Sequence, residues 1–117
     1  PDPESQALAA GEGYCAFAAA HPALFKLMFA SERADAEEAE LQAAKAESHA
    51  VLREVARGLD LGRPPGPEAE TEAELHLWSL AHGFASLLAD GVVGTPRGAI
   101  PRRPAFRDVV ARLAFRR

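Results

Sequence analysis

Trp78 and His82 stand one helical turn apart in a chain with a single tryptophan and four histidines. A buried indole N–H and a buried imidazole each need a hydrogen-bonding partner. The pair can therefore line a cavity that holds a small molecule, or sit in a core and bond backbone carbonyls. His49 is open to the same two readings. As metal ligands the histidines are badly spaced: His21, His49, His76 and His82 contain no i, i+4 pair, and no Glu-x-x-His occurs, so the usual di-iron bundle pattern is excluded. No cofactor is expected. Catalysis is served no better. There is no G-x-S-x-G elbow, phosphate loop or G-x-G-x-x-G, and Gly11-Glu12-Gly13 follows no strand. The lone Cys15, in an alanine-rich segment, reads as a small buried apolar residue and not as a nucleophile. The chain is not expected to be an enzyme.

The elements that must position these residues follow from composition. At 117 residues the chain is one domain. Apolar residues make up 48%, but 26 of them are alanine, leaving 30 larger apolar side chains and a modest core. Val, Ile and Thr total nine, too few for extended sheet, whereas Ala, Leu, Glu and Arg form helices. One cysteine excludes an internal disulfide scaffold. No apolar run reaches the roughly 18–20 residues of a membrane span, so no membrane partner is expected. The start Pro1-Asp2-Pro3-Glu4 lacks an initiator Met and a signal-peptide pattern; it is expected to be the start of a fragment of something longer. Residues 96–117 carry seven Arg and one Asp, for +6, while the other 95 carry −10, which together make the net −4. The basic end reads as a nucleic-acid contact or as a solvated helix end favoured by its dipole. It lacks the aromatic interleaving of single-strand binders.

Proline marks the segment starts. Asp2 before Pro3 is a good N-cap, and the first helix should run from Pro3 to Ala20 with Leu8, Tyr14, Cys15, Phe17 and Ala18 on or near one face. Gly11 and Gly13 inside it point to close packing. A second helix should span Pro22 to about Ala30, with Leu24, Leu27 and Met28 on one stripe and Phe25 and Phe29 on another. A third should span about Ala34 to Arg57, with Leu41, Ala44, Ser48, Val51, Leu52 and Val55 inward and Gly58 placed as its C-cap. After the Gly62–Pro67 connector a fourth begins between Pro67 and Thr71, Thr71 and Glu74 fitting a capping box, and ends at Gly91. Residues 92–103 form a loop, and a last helix follows Pro104 with Phe106, Val109, Val110 and Leu113 on one stripe. The fold class is all-α, a five-helix bundle.

At about 100° per residue, the fourth helix carries two loaded faces. Leu77, Leu80, Ala81, Phe84, Leu87 and Leu88 form a purely apolar one. Leu75, Trp78, Ser79, His82, Ala85 and Ser86 form a mixed one opposite. A helix apolar on both sides is buried on both. Either it is central in a monomer, or a second copy covers it, helices four and five of each protomer making a four-helix interface.

Two stretches then resemble a known family. Phe17–Phe29 (FAAAHPALFKLMF) resembles the helix–His-Pro–helix corner of the C-terminal domains of TetR-like transcriptional regulators. Leu77–Gly91 (LWSLAHGFASLLADG) is similar to the Trp-x-x-x-His-Gly signature of one subgroup of them, carried by Trp78, His82 and Gly83. The resemblance covers essentially the whole chain. It implies a bacterial, cytoplasmic homodimer built through its last two helices, and an effector pocket bounded by the first four. The N-terminal helix-turn-helix domain that would contact operator DNA is absent from this chain. The expected function is that of the effector-sensing and dimerisation domain of a one-component, ligand-responsive repressor. The alternative is a helical dimerisation or adaptor domain without a small-molecule ligand. The dimer interface is expected at Leu77, Leu80, Ala81, Phe84, Leu88, Phe106, Val109, Val110 and Leu113. The pocket is expected among Tyr14, Phe17, Leu24, Met28, Ser48, His49, Leu52, Trp78, Ser79 and His82. With no Lys or Arg evident on those faces, a small lipophilic or aromatic effector, neutral or weakly cationic, is expected.

Overall fold

The first helix opens as its end residues dictate. The Asp2 carboxylate accepts the Ser5 N–H at 2.8 Å, and Pro3 takes a first-turn position where its missing N–H costs nothing. The computed structural model describes residues 2–29, 39–60, 62 and 64–114, the side chains of 40, 41 and 111–114 excepted. They form α1 (Pro3–Ala20), α2 (Pro22–Phe29), α3 (Ala39–Ala56), α4 (Pro67–Ala89) and α5 (Phe106–Ala114). Among them there is no strand, only a bridge between Val93 and Ile100. The expected start of the third helix near Ala34 lies outside the described residues.

The centre of the molecule is the contact between α1 and α4, and it is made of small residues. Ala7, Gly11, Cys15 and Ala18 are the buried line of α1. Ala73, Leu77, Ala81, Ala85, Leu88 and Ala89 are that of α4. Small side chains let two helices pack at the short end of the usual 8–10 Å axial spacing. The Cys15 thiol points at the Ala81 carbonyl 3.7 Å away, and burial pushes its pKa up to about 12. It is therefore an inert packing residue. Around this seam are two apolar clusters. One joins Cys15, Ala18, Phe25, Ala81, Ala85, Phe106 and Val110. The other joins Ala7, Leu52, Ala56, Ala73 and Leu77.

Several sequence expectations are corrected by this geometry. The buried line of α4 runs between the two faces assigned to it, along the alanines, so Leu87 is exposed and Ala85 is buried. On α2, Phe25 and Met28 are buried while Leu24 and Leu27 are exposed, and on α3 Leu52 is buried while Val51 is exposed. Thr71 is not a cap. Helix α4 starts one turn earlier on Pro67, after Gly66, and the Thr71 hydroxyl donates back to the Pro67 carbonyl at 3.0 Å. Gly58 does not take the left-handed C-cap conformation. It sits against Pro3, where a Cβ would lie 3.1 Å from the proline ring. Gly11 bears out the close-packing expectation, since a Cβ there would overlap the Phe106 ring, whereas Gly13 faces open space.

Helix α4 ends as expected near Gly91, whose φ of +75° is the left-handed conformation that glycine adopts most cheaply. Gly91 N–H donates to the Leu88 carbonyl and Val92 N–H to that of Leu87, a Schellman ending. The following loop is tightly bonded: Thr95 donates to the Gly91 carbonyl at 2.7 Å, and Ile100 N–H to that of Val92 at 2.9 Å. It delivers α5 across α1 and α4. There Arg107 grips Glu12 through two hydrogen bonds of 2.7 and 3.0 Å, holding the Glu12 carboxyl below its ordinary pKa. One arginine of the basic end is thus tied to the bundle surface.

Candidate functional site

The polar residues of interest converge where α2, α3 and α4 meet over α1. Helix α3 turns a basic stripe, Lys45, His49 and Arg53 at i, i+4 and i+8, toward α4. The His49 ring stacks on Trp78 with centroids 4.2 Å apart and planes inclined by 22°. Its Nε2 lies 2.8 Å from the Glu74 carboxylate, whose other oxygen meets Arg53 at 3.3 Å. Glu74 thus clamps the lower stripe and sets the tilt of the His49–Trp78 stack. The uppermost cation, Lys45, stands 5.4 Å from the centroid of the Phe29 ring.

Behind Trp78 lies a hydrogen-bonded chain. The Trp78 indole N–H points at the Tyr14 hydroxyl oxygen at 3.4 Å, a long contact. That hydroxyl lies 2.7 Å from Nδ1 of His82. The half-buried phenol has no other acceptor among the described residues, and it donates to Nδ1 when a neutral His82 carries its own proton on Nε2. Burial raises the Tyr14 pKa to about 12, which keeps the phenol protonated. Burial, reinforced by the Lys45 charge, lowers that of His82, so the imidazole is neutral near pH 7. Phe25 and Phe29 wall it in, with centroids 5.4 and 4.7 Å from the His82 ring.

A pH dependence follows. The folded chain binds the His82 proton less readily than the unfolded one, so stability is complete above the ordinary value of 6.5 and falls as the pH drops below it. Thermal melts between about pH 7.5 and 5 should decline more steeply for the wild type than for His82→Gln. Parallel profiles would show that His82 is not responsible.

In front of this chain opens a cleft of about 290 Å³ lined by Phe29, Lys45, Leu75, Trp78, Ser79 and His82. A second depression of about 310 Å³, no more open than the first, lies across α2, lined by Phe17, Met28, Ala44, Glu47, Ser48 and Val51. The ten residues expected around one cavity are therefore divided. Trp78, Ser79 and His82 line the cleft, with Tyr14 behind it and His49 stacked beside it. Phe17, Met28 and Ser48 border the other depression. Leu24 is exposed and Leu52 is enclosed in the core with Leu77. The expectation that no cation lies on these faces is corrected by Lys45. The i, i+4, i+8 spacing of Lys45, His49 and Arg53 was the available signal. Phe29 and Leu75 had none beyond their apolarity, because lining a cleft depends on where neighbouring helices stop.

The residues expected at a dimer interface also separate. Leu77, Ala81, Leu88, Phe106 and Val110 are enclosed by the chain's own helices, so they have almost no area to offer a second copy. Leu80 and Phe84 are half-buried and Val109 is exposed, and the Leu113 side chain lies outside the described residues.

Set against known families, residues 7–113 match the tetracyclin repressor-like C-terminal domain. The chain belongs to that family. No curated protein and no solved structure matches it significantly. TetR-like C-terminal domains are regulatory, not enzymatic; they are the ligand-binding and dimerisation domains of DNA-binding regulators. An all-helical bundle with a cleft flanked by aromatic rings accords with that class. Among the described residues of this TetR-like chain, no group of three potential metal ligands comes together, and no helix is long and apolar enough to cross a membrane.

Proposed function

We propose that the chain is the effector-sensing and dimerisation domain of a one-component, ligand-responsive transcriptional repressor, of the subgroup marked by Trp78, His82 and Gly83. The observation that carries this reading is the cleft in front of Trp78 and His82, backed by the Tyr14 hydrogen-bond chain. Its volume lies near the lower end of the range for ligand pockets and suits a small ring system. A ligand touching Trp78 and His82 acts directly on α4, and the outward side of the same helix is the proposed dimer face. There Leu80 and Phe84 are half-covered, and Leu87, with Val109 on α5, is exposed. Gly83, among them, has open space where a side chain would stand, although a mid-helix glycine costs about 1 kcal/mol relative to alanine. A helix of a second copy crossing at Gly83 would give that glycine a use. Operator DNA is contacted through a helix-turn-helix outside these 117 residues. The chain itself then binds duplex DNA only weakly and loses that binding with salt.

The second reading, a dimerising adaptor without a ligand, is favoured by one observation: the Tyr14 hydroxyl already occupies the Trp78 N–H and Nδ1 of His82. Of two measurements, the first tests the dimer that both readings share and the second separates them. Light scattering at micromolar concentration should return a dimer mass for the wild type and a monomer mass for Leu87→Glu, with helix content unchanged. A monomeric wild type overturns the dimer. Titration with small aromatic compounds should perturb the emission of Trp78, the only tryptophan. Silence across the panel favours the adaptor.

A further inference from the structure

The cleft is lined by hydrogen-bond donors and two aromatic walls, and among the described residues its lining contains no carboxylate. Lys45 contributes an ammonium with no ion-pair partner among the described residues. Glu74, one turn before Trp78, is committed to His49 and Arg53 and not to Lys45. His82 contributes a donor in the tautomer that accepts from Tyr14: with Nδ1 accepting the phenol O–H across 2.7 Å, Nε2 carries the N–H. That N–H has no partner among the described residues, and His82 is one of the residues that line the cleft. Ser79 adds a hydroxyl. The walls are Trp78, held flat by the His49 stack, and Phe29, beneath the Lys45 ammonium. Such a lining repels cations and leaves a neutral hydrocarbon's polar surroundings unused. It suits a flat ring that carries a negative acceptor.

We propose that this cleft binds a planar aromatic carboxylate, its rings against Trp78 and Phe29 and its carboxylate taken by the Lys45 ammonium and the His82 Nε2–H. The assignment rests on the reading of the cleft as the effector site, and it replaces the neutral or cationic ligand expected from the sequence with an anionic one. Tyr14 acts as a positioning residue, because its hydroxyl determines which His82 nitrogen presents the proton.

The test uses three probes of nearly equal size: 2-naphthoate, 2-naphthalenemethanol and 2-naphthylmethylammonium. Affinities come from calorimetry, and the site is located by the single indole N–H resonance of Trp78. The expected order is carboxylate, then alcohol, then ammonium, with the carboxylate at least tenfold tighter than the alcohol and weakening with salt. Lys45→Met should bring 2-naphthoate down to the level of the alcohol, and Lys45→Arg should restore the preference. Equal affinities of carboxylate and alcohol, or indifference of 2-naphthoate binding to Lys45→Met, overturn the anionic assignment while the cleft remains a binding site. If none of the probes moves the Trp78 resonance, the effector-site reading fails, and this assignment fails with it.

Discussion

Leu77→Ala should cost the protein about 2–5 kcal/mol, the range for truncating a fully enclosed leucine. Leu77 is fully buried in a single chain, among Ala7, Leu52, Ala56 and Ala73. Three of these four neighbours are alanines, whose short side chains have little freedom to collapse into the space vacated. For a chain of this length the thermal midpoint should fall by about 10 °C or more, and by the same amount at every protein concentration. Leu87, grouped with Leu77 by helical periodicity, is 43% exposed. Leu87→Ala should leave the isolated chain within about 0.5 kcal/mol of the wild type, acting only through association. Circular dichroism melts at two concentrations read both. A small effect at position 77 together with a large, concentration-dependent one at 87 would mean that the assignment of α4's inner and outer faces is inverted.

The second large effect is expected at Gly11. Valine there must displace the Phe106 ring, which occupies the space a Cβ would take. Phe106 is the residue through which α5 enters the core, packed edge-on against Phe84 at 5.9 Å. Overpacking of this kind costs about 1–3 kcal/mol. The loss should be concentrated in α5, with amide exchange accelerating across residues 106–114 before the rest of the bundle. Gly13→Ala is the matched control. It lies two residues away in the same helix with nothing near it, and should stabilise the chain by up to about 1 kcal/mol through helix propensity. If both glycine substitutions stabilise, the α1–α5 contact does not hold in solution.

The helices and most of their ends were legible because their causes are local. An Asp2 side chain within reach of the Ser5 N–H, a proline that loses nothing in a first turn, and a glycine able to take φ of +75° act within a few residues of themselves. The family was legible in two short stretches for a related reason: the chain order of Trp78, His82 and Gly83 survives without any knowledge of what they touch. Cys15 could be read as inert packing from its alanine-rich surroundings alone.

Which faces are inside was decided only in three dimensions. Hydropathy ranks leucine above alanine, so the apolar face of the fourth helix was drawn through its leucines. The structure instead groups Ala81, Ala85 and Ala89 with Cys15 and Ala18, and Ala73 with Ala7, because close approach of two helices is limited by side-chain size and not by hydrophobicity. The alanines set aside when the core was counted are its centre. That choice rotates α4 and carries Leu87 outward, and it brings Trp78 and His82 to Tyr14, 64 and 68 residues away in sequence. The cleft has the same origin. Lys45 and Phe29 reach it because α2 and α3 converge on α4, and no pattern within either helix records the position of the other.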